Sequence, residues 1–163
     1  MQLDQKVTMT TILGCPSAGW VSFNLEDEVP GFGLSYLTDV PNEWIDQAIH
    51  GLETMLPFAV HGVCEPGRVV CTVSYWNCHI VFEGEDRGDS AVRTWSCHVS
   101  MLKFCERLHQ DILSNLNEWA QWDCSEDEKT IAANKQRLQQ KLDTLSALIT
   151  EKRRHFGKNR CFF

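Results

Sequence analysis

The apolar residues of this chain change their spacing near Ser100. Before that point they recur mostly at every second position, the pleat of half-buried β-strands. After it they recur three and four apart, at Leu102, Cys105, Leu108, Ile112, Leu116 and Trp119, and again at Ile131, Leu138, Leu142, Leu145 and Ile149. A strand-rich first part and a helical last part predict an α+β fold: an antiparallel sheet of five or six strands with helices on one face, ending in a two-helix hairpin. At 163 residues and 43% apolar content, the chain suits one domain with a substantial core.

Residues 7–13, 20–25 and 32–37 read as strands rich in β-branched and aromatic side chains. Asp39 or Thr38 can cap a helix that Pro41 opens and Pro57 ends, with a stripe of Ile45, Ala48, Ile49, Leu52 and Leu56 widened by Trp44 and Met55. Residues 69–75, 79–82 and 91–99 read as three more strands, and a helix follows over about 100–122. The segment His61-Gly62-Val63-Cys64 is assigned to a loop containing Gly and Pro. Ser125 and Glu128 have the spacing of a capping box for a last helix running to about Arg154. Its narrow stripe predicts antiparallel packing on the preceding helix, or alternatively a homodimer formed through it. The domain thus divides into 1–99, mostly sheet with a helix at about 40–56, two long helices over 100–156, and a tail at 157–163.

Charge narrows the partners. The net charge is −7, but residues 152–160, KRRHFGKNR, hold five cations and no acid. With those set aside, 10 basic and 22 acidic side chains remain, a balance of −12. Such a body repels nucleic acid and anionic membranes and attracts basic proteins, although acidity also serves solubility. The opening residues, MQLDQKVTMTTILG, lack the apolar run of a secretory leader, and no stretch nears the ~18 apolar residues of a membrane span. A cytoplasmic setting with reduced thiols is therefore expected.

The eight cysteines contain no CxxC pair and no common zinc spacing. The dipeptides Cys78-His79 and Cys97-His98 invite a metal reading, but on a strand neighbouring side chains point to opposite faces. If a hairpin turns around Asp86–Asp89, Cys78 falls opposite Cys97, and the two become core neighbours. A redox disulfide and a metal site stay as alternatives to that core pair. No P-loop, GxGxxG, HExxH or GxSxG is present, and neither a cofactor nor a metal is expected. What remains is a non-catalytic binding surface formed by the acidic turns. The first is Glu26, Asp27 and Glu28; the second is Glu83, Glu85, Asp86, Arg87 and Asp89, with an ordinary solvated hairpin as the plain alternative.

Three stretches carry a resemblance. Gly19-Trp20-Val21-Ser22-Phe23, then Ser35-Tyr36-Leu37-Thr38-Asp39-Val40-Pro41 with Trp44-Ile45-Asp46, and the segment 104–122 ending Leu116-Asn117-Glu118-Trp119-Ala120-Gln121-Trp122, together resemble small bacterial proteins of the toxin-immunity kind. The last helix lies outside it. The resemblance implies a cytosolic, non-enzymatic protein that binds and neutralises a cognate toxin, and it assigns no residue a role. Two other functions are compatible with the sequence: a self-associating assembly protein that uses the last helix, and a thiol- or metal-dependent sensor.

Overall fold

The computed structural model describes residues 11–26, 28–86 and 89–158, with residues 86, 89, 90 and 156–158 described by backbone alone. Two antiparallel sheets form. Strands β1 (Trp20–Phe23) and β2 (Phe32–Ser35) make a two-stranded sheet. Strands β3 (Phe58–Val63), β4 (Arg68–Val73), β5 (Cys78–Asp86) and β6 (Asp89–Cys97) make a four-stranded meander in chain order. The single sheet of five or six strands is therefore corrected to four strands plus two. The strand expected at 7–13 lies largely outside the described residues, and its end makes an isolated bridge from Leu13 to Phe23.

Strand β3 was not expected. His61 and Gly62 look like loop residues, yet Phe58, Val60 and Gly62 are buried while Ala59 and His61 face out, a regular pleat. Gly62 is small for a packing reason. A Cβ there would stand 2.8 Å from Leu34 Cδ2, so it marks the close crossing of β2 over the main sheet rather than a chain break.

That crossing separates the two sheets. The inner face of the meander presents Phe58, Val60, Val69, Cys71, Val73, Cys78 and Ile80, all buried. At one end, β2 lies over it, with Leu34 at Gly62 and the Phe32 ring stacked on Phe82 at 5.9 Å. At the other end lie helices α1 (Val40–Thr54) and α2 (Met101–Ser114), whose Trp44 and Phe104 rings stack at 6.3 Å. The outer face carries no helix among the described residues; His61, His79, Thr94 and Ser96 are exposed on it.

Helix boundaries follow local chemistry. Asp39 precedes α1 without a side-chain cap bond; its carboxylate accepts instead from Asn42 Nδ2 at 3.1 Å. Met55 turns left-handed with φ 52° and stops the helix, which leaves Leu56, expected in the buried stripe, exposed. The helix expected over 100–122 breaks at Asn115, whose side-chain amide donates to the Asp111 carbonyl at 3.3 Å. A backbone carbonyl bound this way competes with regular helix, and the chain resumes as the short α3 (Leu116–Trp119). Helix α4 (Glu128–Lys158) is capped by Asp127, not Ser125: its carboxylate accepts from the Thr130 amide at 3.0 Å and the Thr130 hydroxyl at 2.8 Å.

Helix α4 packs antiparallel on α2, as its stripe predicts, and also on α1, so it lies over both helices rather than on one alone. Leu138, Leu142, Leu145 and Ile149 are buried there. At roughly 1.5–3 kcal/mol for each side chain removed from water, they dominate the docking energy. Ion pairs flank the seam, Lys141 to Asp46 at 2.8 Å and Arg153 to Glu106 at 2.9 Å. The stripe on which a homodimer through α4 depended is thus occupied within the chain.

Gly51 marks the tightest crossing of α1 over the sheet, because a Cβ there would overlap the Phe58 ring. Gly51→Ala gains about 1 kcal/mol of helix propensity but overpacks a buried contact that costs about 1–3 kcal/mol. Denaturant unfolding is expected to show net destabilisation, and Phe58→Leu in the same chain is expected to recover part of it.

Candidate functional site

The acidic turns sit where four aromatic residues meet. Phe23 and Phe32 are the last pair of the β1–β2 register and stack at 6.2 Å, so the loop carrying Glu26, Asp27 and Glu28 leaves from them. Phe32 then meets Phe82 of β5 and, at 5.6 Å edge-on, Trp95 of β6. Phe82 immediately precedes Glu83, the first acid of the second stretch. Two acidic segments far apart in sequence therefore emerge from one aromatic cluster.

The expected site residues differ in what holds them. Glu26 Oε1 accepts from Arg107 Nη2 at 2.6 Å and lies 3.9 Å from Lys103 Nζ. Arg107 is itself buried, and its Nε and Nη1 have no hydrogen-bond partner among the described residues. Taking Glu26 away would remove the one carboxylate hydrogen-bonded to that buried guanidinium and leave only the charge of Asp111 to offset it, so Glu26 serves the fold as much as the surface. Glu83 is bound by Arg68 at 2.7 and 2.8 Å. Both side chains are half exposed, and such a pair contributes at most about 1 kcal/mol. Glu83 is also a strand residue opposite Val92, not part of the turn. Glu28 and Glu85 are exposed. Asp27 and Arg87 lie outside the described residues, as do the side chains of Asp86 and Asp89, whose backbones pair to close the hairpin.

The cysteines form a second cluster. The register places Cys78 directly opposite Cys97, the arrangement expected from a turn at Asp86–Asp89. Cys71 of β4 and Cys105 of α2 join them, so three buried thiols gather around the fourth, Cys78. Cys78 Sγ also donates to the Val99 carbonyl at 3.4 Å. The hydrogen bond with Cys78, then burial, holds the Cys71 pKa well above the ordinary thiol range. Burial, followed by the neighbouring Cys78, pushes Cys97 up to about 11 and raises Cys105 further. These are protonated core thiols. Among the described residues, no three Cys, His, Asp or Glu are grouped to hold a metal.

The histidines stand apart from the thiols. His79 lies on the outer face with Nδ1 2.9 Å from Ser96 Oγ, and His98 is exposed. His61 faces outward too, 3.4 Å from Glu43, whereas Cys64 packs toward the core, so that thiol–imidazole pair is split. Sequence reasoning missed Arg107 and the aromatic cluster. Arg107 falls beside the apolar stripe of α2, and its meeting with Glu26, 81 positions away, together with the charge of Asp111 on the same helix, explains why a cation is buried there.

A thiol whose folded pKa is raised contributes stability that is fully present below its unfolded pKa of about 8.5, and is lost as pH rises through the folded value. The unfolding free energy is therefore expected to fall between about pH 8.5 and, for Cys97, about 11. Cys97→Ala should make that fall shallower. In native protein at pH 8, an alkylating reagent should modify exposed Cys15 and Cys124 and spare Cys71, Cys78, Cys97 and Cys105 until denaturant is added.

Comparison with protein-family models, with curated proteins and with solved structures returns no match.

Proposed function

We propose that this chain is a non-catalytic binding protein that presents an acidic surface to a basic protein partner, in the manner of an immunity protein that blocks a nuclease-type toxin. The observation that carries the reading is the emergence of both acidic turns from the cluster of Phe23, Phe32, Phe82 and Trp95. Rigid anchoring matters because charges held on an ordered scaffold lose little entropy when a partner docks. The balance of −12 outside residues 152–160 adds a long-range field that steers a cationic partner to this end. Carboxylates at such a surface imitate the phosphates that a nuclease groove is built to receive.

The internal pairings divide the labour. Glu26 and Glu83 already answer Arg107 and Arg68, so exposed Glu28 and Glu85 carry the intermolecular role.

The test is binding to a basic nuclease-type toxin domain, such as one encoded beside this gene, across a salt series. Association is expected to weaken steeply with salt. Glu28→Lys with Glu85→Lys is expected to slow it by about tenfold or more with the fold intact. Binding indifferent to salt and to both reversals would overturn the electrostatic reading.

A further inference from the structure

The two edges of the meander are treated differently. On β3, two of the outward backbone groups are taken by side chains: Trp44 Nε1 donates to the His61 carbonyl at 2.8 Å, and the Val63 amide donates to Thr38 Oγ1 at 3.1 Å. An edge closed in this way offers little to an incoming strand. Among the described residues, strand β6 has no such cover. Its odd-numbered residues exchange backbone bonds with β5, starting from the Asp86–Asp89 pair, so alternation directs the backbone groups of Val92, Thr94 and Ser96 outward. None of these groups has a hydrogen-bond partner among the described residues. All three residues are exposed, Val92 by 66%. The strand is nine residues long, longer than any other strand except its neighbour β5, and Ser90–Ser96 contains neither Pro nor Gly.

We propose that the open edge of β6 pairs antiparallel with the same edge of a second copy of this chain, joining the two meanders into one continuous eight-stranded sheet. The sequence of β6 is self-complementary in one register. With a twofold axis at Thr94, Thr94 meets its own copy, and Val92 meets Ser96 of the second copy. These three narrow pairs exchange about six backbone hydrogen bonds. On the inner face, the same register sets Arg93 opposite Trp95 of the second copy, and does so twice, a cross-strand cation–aromatic pairing. Shifting the axis to residue 93 sets two Arg93 side chains against each other, a like-charge pair that disfavours the slip. The antiparallel arrangement also carries the two acidic hairpin tips roughly 40 Å apart, which relieves their repulsion. An interface built on one strand pair is small, so the dimer belongs to the weak, concentration-dependent class.

Sedimentation of the full chain from low-micromolar to hundred-micromolar concentration tests this. A reversible monomer–dimer equilibrium is expected. Thr94→Pro removes an amide that β5 does not use, a position where an edge strand tolerates proline, and it should raise the dimer dissociation constant by about tenfold or more. Amide hydrogen exchange of the unaltered chain provides a second readout: the Val92, Thr94 and Ser96 amides should become protected as concentration rises. A chain that stays monomeric throughout, with those amides exchanging freely, overturns the proposal and leaves the edge to an extended segment of another protein. A dimer that ignores Thr94→Pro and leaves the three amides unprotected also overturns it.

Discussion

Trp44 is the residue on which the remaining parts converge. Its ring meets Phe23 of the small hairpin edge-on at 5.1 Å and stacks on Phe104 of α2, while its Nε1 donates to the His61 carbonyl on β3. One side chain thus joins both sheets and both inner helices. The buried indole needs a partner for its N–H, and the edge of β3 needs a donor for a carbonyl that no strand covers. Each requirement meets the other, so the same bond fixes the height of α1 over the sheet and closes the sheet on that side.

From Trp44 the ring contacts continue without a gap. Phe58 meets Phe104, Phe104 meets Trp44, Trp44 meets Phe23, Phe23 meets Phe32, and Phe32 reaches Phe82 and Trp95. The chain of rings runs from the end of the sheet under the helices to the end that bears the acidic turns. Aromatic side chains bury much area with few rotatable bonds, so such a run transmits position well. The acidic surface therefore inherits its geometry from the core, with Glu28 in a loop and Glu83 and Glu85 near the end of β5.

Periodicity made part of this legible. Alternation sent the histidines to the face away from the cysteines, and a turn around Asp86–Asp89 placed Cys78 opposite Cys97, because a pleat fixes sidedness and a turn fixes register without knowledge of the fold. The stripe of α4 and its packing on α2 were equally plain, but not its second contact, with α1: a helix that lies across two others has nearly the same pattern as one paired with a single neighbour. Strand β3 stayed hidden because Gly62 signals a break in sequence, while its cause, the Leu34 side chain, comes from 28 positions earlier. The site was half visible for the same reason. Glu26 and Glu83 announce themselves as acids, but Arg107 and Arg68, which neutralise them, are recognised only in three dimensions. The cap of α4 turned on two competing carboxylates: Asp123 binds the Ser125 amide at 3.1 Å, and Asp127 stands free to begin the helix.

The Thr38 hydroxyl on the Val63 amide bears on how far an assembly can grow. A sheet with two available edges has no natural end; each added copy exposes a fresh edge, and the outcome is a fibre. A sheet with one edge stopped ends after a single twofold pairing, since the stopped edges then face outward on both sides. A hydroxyl and an indole, contributed by residues that also shape the start of α1, thus set an upper limit on assembly size. They do so without charge, and the limit should hold at any ionic strength.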